Sequence, residues 1–254
     1  MTNSVFDFTD RLVLVTGGSK GIGRACVELF ALGGADVLFT YRRKDNSVDV
    51  LLEWAGTTSG KVTGLRSDAL VAKDRKTLHK FVEDREGGHL DILVNNVGDA
   101  IRRSSFEQSD EVLWQRSFDI NLGTATSLTR AFLPMLKKSA GGVVVNISSI
   151  AGKTTGAGDS LHYGVSKAAL DTFTVGLARE VKGTNLRIVG VAPSAIDTDF
   201  QVRHSSDNRL HKIIEQTPLG RIGTAKEVAN VVGFLASDLA SYISGVVVPI
   251  TGGR

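Results

Sequence analysis

An α/β fold built on one doubly wound parallel sheet is predicted by three features. Apolar runs of strand length alternate with helical patterns, chemistry-bearing motifs fall just after those runs, and no linker divides the chain. The strand-like runs are Leu12–Val15, Val37–Thr40, Val62–Leu65, Ile92–Val94, Val143–Ile147, Leu186–Val191 and Val246–Pro249. Helical patterns lie between most of them, at about Gly21–Leu32, Asp49–Trp54, Val71–Asp84, Val112–Lys137, Val165–Val181 and Ala225–Leu235. Strands that alternate with helices pair in parallel, and right-handed crossovers cover both faces of the sheet.

The 254 residues, 42% hydrophobic and 22% charged, suffice for one large core, so residues 1–254 are expected to form a single domain of about seven strands flanked by helices. Only four prolines and no fixed-period repeat interrupt the pattern. Cys26 is the sole cysteine, which precludes an intrachain disulfide, and the start MTNSVFDFTD lacks the basic and apolar regions of a secretory signal. A cytoplasmic protein is therefore expected. No apolar run approaches the roughly 18 residues of a membrane span. The net charge of +3 is spread among 27 acidic residues, which argues against a nucleic-acid stripe.

In a doubly wound sheet, ligands bind beyond the carboxyl ends of the strands, at the switch in strand order. The segments TGGSKGIG, YRRK, SDA, NNVG, SSIAG and PSAIDT each follow one of the first six runs. Gly17, Ser19, Lys20, Gly21, Ile22 and Gly23 form a glycine-rich turn from a strand into a helix. Such a turn lets a pyrophosphate approach unpaired N–H groups at the helix start. After the second run comes Tyr41, then Arg42 and Arg43, with no acid until Asp45. An acid there would bind ribose hydroxyls and repel a 2′-phosphate, whereas arginine attracts one, so NADPH is favoured and NADH is the less favoured cofactor.

In YGVSK, Tyr163 and Lys167 are four residues apart and share one face if the segment is helical. Bringing a phenol from near pH 10 to neutrality takes about three pKa units, roughly 4 kcal/mol, and a nearby cation is the simplest source. Standing alone, such a pair usually means a half-buried ring beside a solvated charge. Its company gives it meaning here.

Taken in order, the motifs resemble those of the short-chain dehydrogenase/reductase family. Gly17, Gly21 and Gly23 match its TGxxxGxG loop; Asn95, Asn96 and Gly98 match NNAG, with Val97 in place of alanine. Asn121 in DINLG, Ser149 in ISSIAG and YGVSK match its catalytic asparagine, serine and YxxxK, and the likeness extends over almost the whole chain. The resemblance implies a Rossmann fold, Tyr163 as general acid/base, Ser149 holding the substrate oxygen, Lys167 holding ribose and lowering the phenol pKa, and Asn121 completing a proton relay through water. It also implies Asp68 and Ala69 at the adenine, Asn95, Val97 and Gly98 along the cofactor, and Lys20 as a second cation of NADP-preferring type. Pro193, Ile196 and Thr198 in PSAIDT resemble PGxIxT, with Ser194 replacing glycine, and would close over the nicotinamide.

The same resemblance predicts a substrate lid over about 194–220, with a short helix near Leu210–Glu215, and points to the 3-oxoacyl-(acyl-carrier-protein) reductase type. It implies reversible reduction of a small-molecule carbonyl, no metal, and a homotetramer. Ser148 is the weaker serine, and the one-residue-longer spacing from Ser149 to Tyr163 falls in the loop KTTGAGDS. Arg102 and Arg103 read as solvated charges, and His162 as either a pocket residue or a supporting one. Two other readings stay open: an NAD-dependent alcohol dehydrogenase, and a cofactor-binding regulatory or assembly protein without turnover.

Overall fold

The computed structural model describes residues 5–85, 88–156 and 158–254. The first four residues of the MTNSVFDFTD reading and Ala157 of the KTTGAGDS loop lie outside them. Seven strands form one parallel sheet: β1 (Leu12–Val15), β2 (Asp36–Tyr41), β3 (Lys61–Arg66), β4 (Ile92–Asn95), β5 (Val143–Ile147), β6 (Arg187–Pro193) and β9 (Val246–Ile250). Their order is β3-β2-β1-β4-β5-β6-β9, so the chain winds outward in both directions from the β1/β4 pair. Val13 stands beside Val37 on one side and Ile92 on the other.

Side chains alternate across this sheet with the strand period of two. Val13 and Val15 of β1, with Val143, Val145 and Ile147 of β5, enter one core. That core is closed by helices α1 (Gly21–Leu32), α2 (Asn46–Ala55) and α10 (Ala225–Ala236). Leu12, Leu14 and Val144 face the other core, closed by α3 (Ala72–Glu83), α5 (Thr124–Lys138) and the end of α7 (Leu161–Glu180). Because the strands are covered on both faces, they read as unbroken apolar runs. Each wholly buried side chain such as Phe30 or Leu93 contributes roughly 1.5–3 kcal/mol over an exposed one.

The helical pattern expected over Val112–Lys137 is interrupted. α4 (Glu111–Phe118) passes into a π-helical turn, Asp119–Gly123, before α5 resumes. Such a turn carries one residue more than an α-turn and commonly marks a functional position. α7 begins at Leu161, earlier than the expected Val165, and so places both Tyr163 and Lys167 inside the helix. α2 begins at Asn46, where the Asp45 side chain accepts the Ser47 N–H at 3.0 Å.

The remaining elements are short: α6 (Ala151–Thr154), paired strands β7 (Ile196–Asp197) and β8 (Gly223–Thr224), α8 (Asp199–His204) and α9 (Asp207–Glu215). α9 is the short helix expected near Leu210–Glu215, starting three residues earlier; α6, α8, β7 and β8 have no counterpart in the sequence reading. Two to six residues are too few to show a period. Among the described residues no helix is long and apolar enough to cross a membrane, and no cluster of His, Cys, Asp or Glu is arranged to hold a metal ion.

Candidate active site

A cleft of about 840 Å³ opens at the carboxyl ends of the strands, across the β1/β4 switch. Gly17, Ser19, Lys20, Gly21, Ile22, Tyr41, Arg42, Arg43, Asp68, Ala69, Val97, Gly98, Pro193 and Thr198 all line it. Gly17 and Gly21 adopt φ of 65° and 53°, which a residue with a Cβ rarely takes. The loop is pinned from behind: Gly17 N–H donates to Thr40 Oγ1 at 3.1 Å, and Asn96 Nδ2 donates to the carbonyls of Thr16 and Gly17. α1 follows with no side-chain cap and no acid in its first turn. Its free N–H groups and positive dipole end therefore face the cleft, which suits a pyrophosphate.

Three expected cofactor positions lie behind this surface. Asn95 is buried, and its Nδ2 donates to Thr129 Oγ1 and Asn146 Oδ1, both at 2.9 Å, which ties β4 to β5 and α5. Gly23 lets α1 pack against the Gly17 carbonyl, where a Cβ would collide. The Ile196 side chain is buried against Gly223, while Thr198 alone of that pair lines the cleft and approaches the space above Gly21. The sequence motif located the right segment and could not tell the residue that touches a ligand from the one that holds the loop.

At the ribose end, Arg42 and Arg43 are exposed, and among the described residues neither guanidinium pairs with a carboxylate. Lys20 is already engaged: its Nζ lies 2.7 Å from Asp45 and 3.8 Å from Asp199. Hydrogen bonds from Lys20 and Ser47 hold the Asp45 carboxyl down to about 2, so the pair stays charged across the neutral range. The acid three residues past Arg42 thus returns to the cofactor cleft, a pairing the sequence reading did not contain.

The four residues matching the reaction motif converge at the β4 and β5 ends. Ser149 lies beside the Tyr163 phenol and acts to lower its pKa, and the Ser149 Oγ accepts the Ala151 N–H at 3.1 Å. Ser148 turns the other way, toward the α7 carbonyl of Lys167 and the Asp171 carboxyl. Lys167 is only 3% exposed and donates from Nζ to the Ile147 carbonyl at 2.8 Å. Asn121, wholly buried in the π-turn, donates from Nδ2 to the Asp99 and Ser117 carbonyls and accepts the Asp99 N–H. Its amide thereby fixes the backbone after Gly98. A Cβ on Gly98 would lie 2.9 Å from both Asn121 Oδ1 and Lys167 Nζ, so these two groups flank one small space.

Burial dominates the acid–base balance. It pushes the Tyr163 phenol up to about 12, against the lowering effects of the Ser149 hydrogen bond and the Arg103 charge. It draws the Lys167 ammonium down to about 8, opposed by Asp171. Lys167 Nζ stands 5.9 Å from the Tyr163 ring centroid. The phenol is therefore held in its proton-bearing form at neutral pH, and the cation expected to acidify it is displaced toward neutrality by its own desolvation.

Contacts from α8 complete the wall. Phe200 of α8 lies 6.1 Å from the Tyr163 ring, and Asp99 receives His204 Nε2 at 2.6 Å and Arg203 Nη1 at 2.9 Å. Arg103 is not a solvated charge: it donates to Asp159, Ser160 and the His204 carbonyl. Arg102 does reach solvent, pairing with Asp110 at 3.0 Å. His162 is buried between Ser117 and the Arg102 carbonyl, with Trp114 at its edge, and supports the site from behind. Burial lowers its pKa, so it stays neutral there.

A dinucleotide cleft at the switch of a parallel sheet, with a half-buried tyrosine and serine and a buried lysine beyond β5, defines an oxidoreductase dependent on a nicotinamide cofactor. A family model described as enoyl-(acyl carrier protein) reductase matches residues 17–254. The chain belongs to the short-chain dehydrogenase/reductase family. It is 36% identical over 249 residues to the 3-oxoacyl-[acyl-carrier-protein] reductase of Escherichia coli (strain K12), covering 97% of this chain and 98% of that protein. A tropinone reductase homolog of Arabidopsis thaliana is 35% identical over 253 residues, with 99% and 95% covered. Among solved structures, a short-chain dehydrogenase/reductase of the glucose/ribitol dehydrogenase group from Brucella melitensis superposes with a TM-score of 0.89 at 31% identity, covering 98% of each chain. A 7α-hydroxysteroid dehydrogenase complexed with NADH and 7-oxo glycochenodeoxycholic acid superposes with a TM-score of 0.91 at 26% identity, covering 100% of this chain and 97% of that one.

Proposed function

We propose that this oxidoreductase is an NADPH-dependent ketone reductase, able to run in reverse as an alcohol dehydrogenase, in which Tyr163 is the general acid/base. The observation that carries this reading is the half-buried Tyr163 phenol, set beside Ser149 inside the cleft at the strand ends and pushed up to about 12 by desolvation. NADPH, when bound, supplies the hydride. Charge that develops on the carbonyl oxygen is met by the Tyr163 Oη–H, which donates its proton, while Ser149 Oγ–H holds the same oxygen in place. Lys167 returns charge to the site: at pH below about 8 its ammonium persists and binds ribose hydroxyls. Asn121 acts as a positioning residue through Asp99 and the water path beside Lys167.

Gly17, Ser19, Gly21 and Ile22 would hold the pyrophosphate, Asp68 and Ala69 the adenine, and Thr198 with the Ile196 backbone the carboxamide. Unpaired Arg42 and Arg43 support the choice of NADPH, since a 2′-phosphate would meet two open guanidiniums. The Lys20–Asp45 pair favours a second reading, NAD-dependent alcohol oxidation, because it withdraws one cation from that phosphate. On this reading residues 1–254 form one NADP-binding domain, residues 194–220 are its substrate lid, and the enzyme works in the cytoplasm. A homotetramer is supported by exposed apolar side chains such as Phe234, Leu239 and Tyr242 near the C-terminal strand.

The test is spectrophotometric turnover of a panel of ketones, diketones and acyl thioesters with NADPH or NADH, by wild type and Tyr163→Phe. Turnover faster with NADPH, reduced at least a hundredfold by Tyr163→Phe with NADPH binding retained, is expected. Tight NADPH binding without reduction of any carbonyl would refute the reductase reading and favour a binding protein.

A further inference from the structure

The substrate end of the cleft is unusually rich in guanidinium groups. Arg103, from the loop after β4, Arg203 from α8, Arg209 from α9 and Arg254 all line it. Asp99 answers Arg203, with His204 on its other oxygen. Asp159 is shared: one oxygen takes Arg103 Nη1 at 3.0 Å and the other takes Arg209 Nη1 at 2.6 Å. One carboxylate therefore faces two guanidiniums from separate elements, and one positive charge is left over. Arg209 Nε is shut from solvent without a hydrogen-bond partner, so this guanidinium is under-satisfied as well. Arg254 has no carboxylate partner among the described residues.

These charges are close to the reacting group. Asp159 and Ser160 precede Tyr163 on the same turn into α7, and Ser160 Oγ receives Arg103 Nη1 at 3.0 Å. The Arg103 charge is felt at the Tyr163 phenol, and burial, with help from Arg103 and Arg254, lowers the Arg209 pKa. Two guanidiniums spaced to clasp one carboxylate, with charge to spare, match a second carboxylate arriving on a ligand. A neutral ketone would leave that charge unanswered beside a partly buried wall.

We propose that the substrate is an oxo acid, whose carboxylate docks at an anion subsite formed by Arg103 and Arg209 with Arg254 at its rim, a few bonds from the carbonyl held by Tyr163 and Ser149. This assignment of substrate class rests on the reductase reading above. The subsite makes the lid part of recognition, since Arg209 stands on α9 and Arg103 donates to the α8 carbonyl of His204.

The experiment compares 3-oxo and 4-oxo acids with their methyl esters and with an acyl thioester, for wild type, Arg209→Leu, Arg209→Lys and Arg254→Gln. Turnover with NADPH is measured alongside calorimetric binding of each compound to the NADP-loaded enzyme, and thermal melting checks the fold. The acid should exceed its ester in kcat/KM by about tenfold or more, the scale of one charge-assisted hydrogen bond. Arg209→Leu should collapse that ratio about tenfold, Arg254→Gln should lower it less, and Arg209→Lys should restore part of it. Added salt should weaken acid binding more than ester binding. Equal handling of acid and ester, preference for the thioester, or equal losses for both in Arg209→Leu would overturn the subsite. Anion-selective, Arg209-dependent binding without reduction of any compound would uphold the subsite and refute the reductase reading instead.

Discussion

Gly98→Ala isolates the geometry of the reacting centre with one methyl group. Gly98 does not have a positive φ, so alanine meets no backbone penalty and the substitution tests space alone. Its Cβ would lie 2.9 Å from Lys167 Nζ and 2.9 Å from Asn121 Oδ1, each closer than ordinary van der Waals contact by several tenths of an ångström. Asn121 is held by three hydrogen bonds to neighbouring backbone and cannot yield without moving the Asp99 peptide. Lys167 is the softer partner, but its Nζ would have to leave the Ile147 carbonyl at 2.8 Å. Overpacking of this kind costs about 1–3 kcal/mol in stability. A displacement approaching 1 Å at a positioned catalytic group costs up to about a hundredfold in rate. The expected result is kcat reduced about ten- to a hundredfold, a higher KM for NADPH, and melting lowered by several degrees, read from steady-state kinetics and calorimetry on the same preparation. Unchanged kcat in a well-folded variant would show that Lys167 and Asn121 are not confined together, and the reasoning would fail.

At the cofactor end, Arg42→Ala should raise the KM for NADPH much more than that for NADH, whereas Asp45→Asn, which keeps the α2 cap and frees Lys20, should improve NADPH binding a few-fold; equal effects on both cofactors would remove the electrostatic account. Burial depresses Lys167 from 10.5 to about 8 in the folded chain, so the unfolded chain holds more protons between those values and this group's contribution to stability rises with pH across that window, being lost as pH falls toward 8. Activity should move the opposite way, with kcat/KM falling above about pH 8; the melting temperature of wild type should rise relative to that of Lys167→Met from pH 8 to 10.5, and parallel pH profiles for the two proteins would refute the assignment. Far from the cleft, Arg187 donates to the Leu235 carbonyl at 2.6 Å and the Ser237 carbonyl at 3.0 Å, closing the end of α10. Arg187→Ala should cost about 2–3 kcal/mol, or roughly 4–12 °C in melting, by leaving those carbonyls unpaired, with little change in kcat for protein assayed well below the transition.

The seven strands and six longer helices were legible because two-sided burial turns parallel strands into continuous apolar runs and leaves helices with a 3.6-residue period. Ser149 was legible because its motif follows a strand end, and the fold brings strand ends together; Tyr163, Lys167 and Asn121, which stand on helices, were legible only through resemblance to the family's motifs. Pairings were not. Lys20 with Asp45, and Arg103 and Arg209 with Asp159, join segments far apart in the chain, and no local pattern encodes them. Asn95 shows the converse limit: its place in a motif suggested contact with a ligand, while its side chain is spent between strands. The spacing of Tyr163 and Lys167 carries no measure of desolvation, which depends on everything packed around the ring and pushes the phenol up.

Asn95 also bears on how a scaffold of this kind changes its task. Its amide binds Asn146 and Thr129, and Asn146 binds Thr174 at 2.9 Å, so β4, β5, α5 and α7 are locked by polar bonds beneath the floor of the cleft. The segments that wall the cleft from Asp99 onward and from Ser194 to Ile213 depart beyond that lock. The α8–α9 segment can therefore be exchanged for one of different shape and charge without disturbing the register of the strands that carry Ser149, which makes it a self-contained unit for transplanting between related chains.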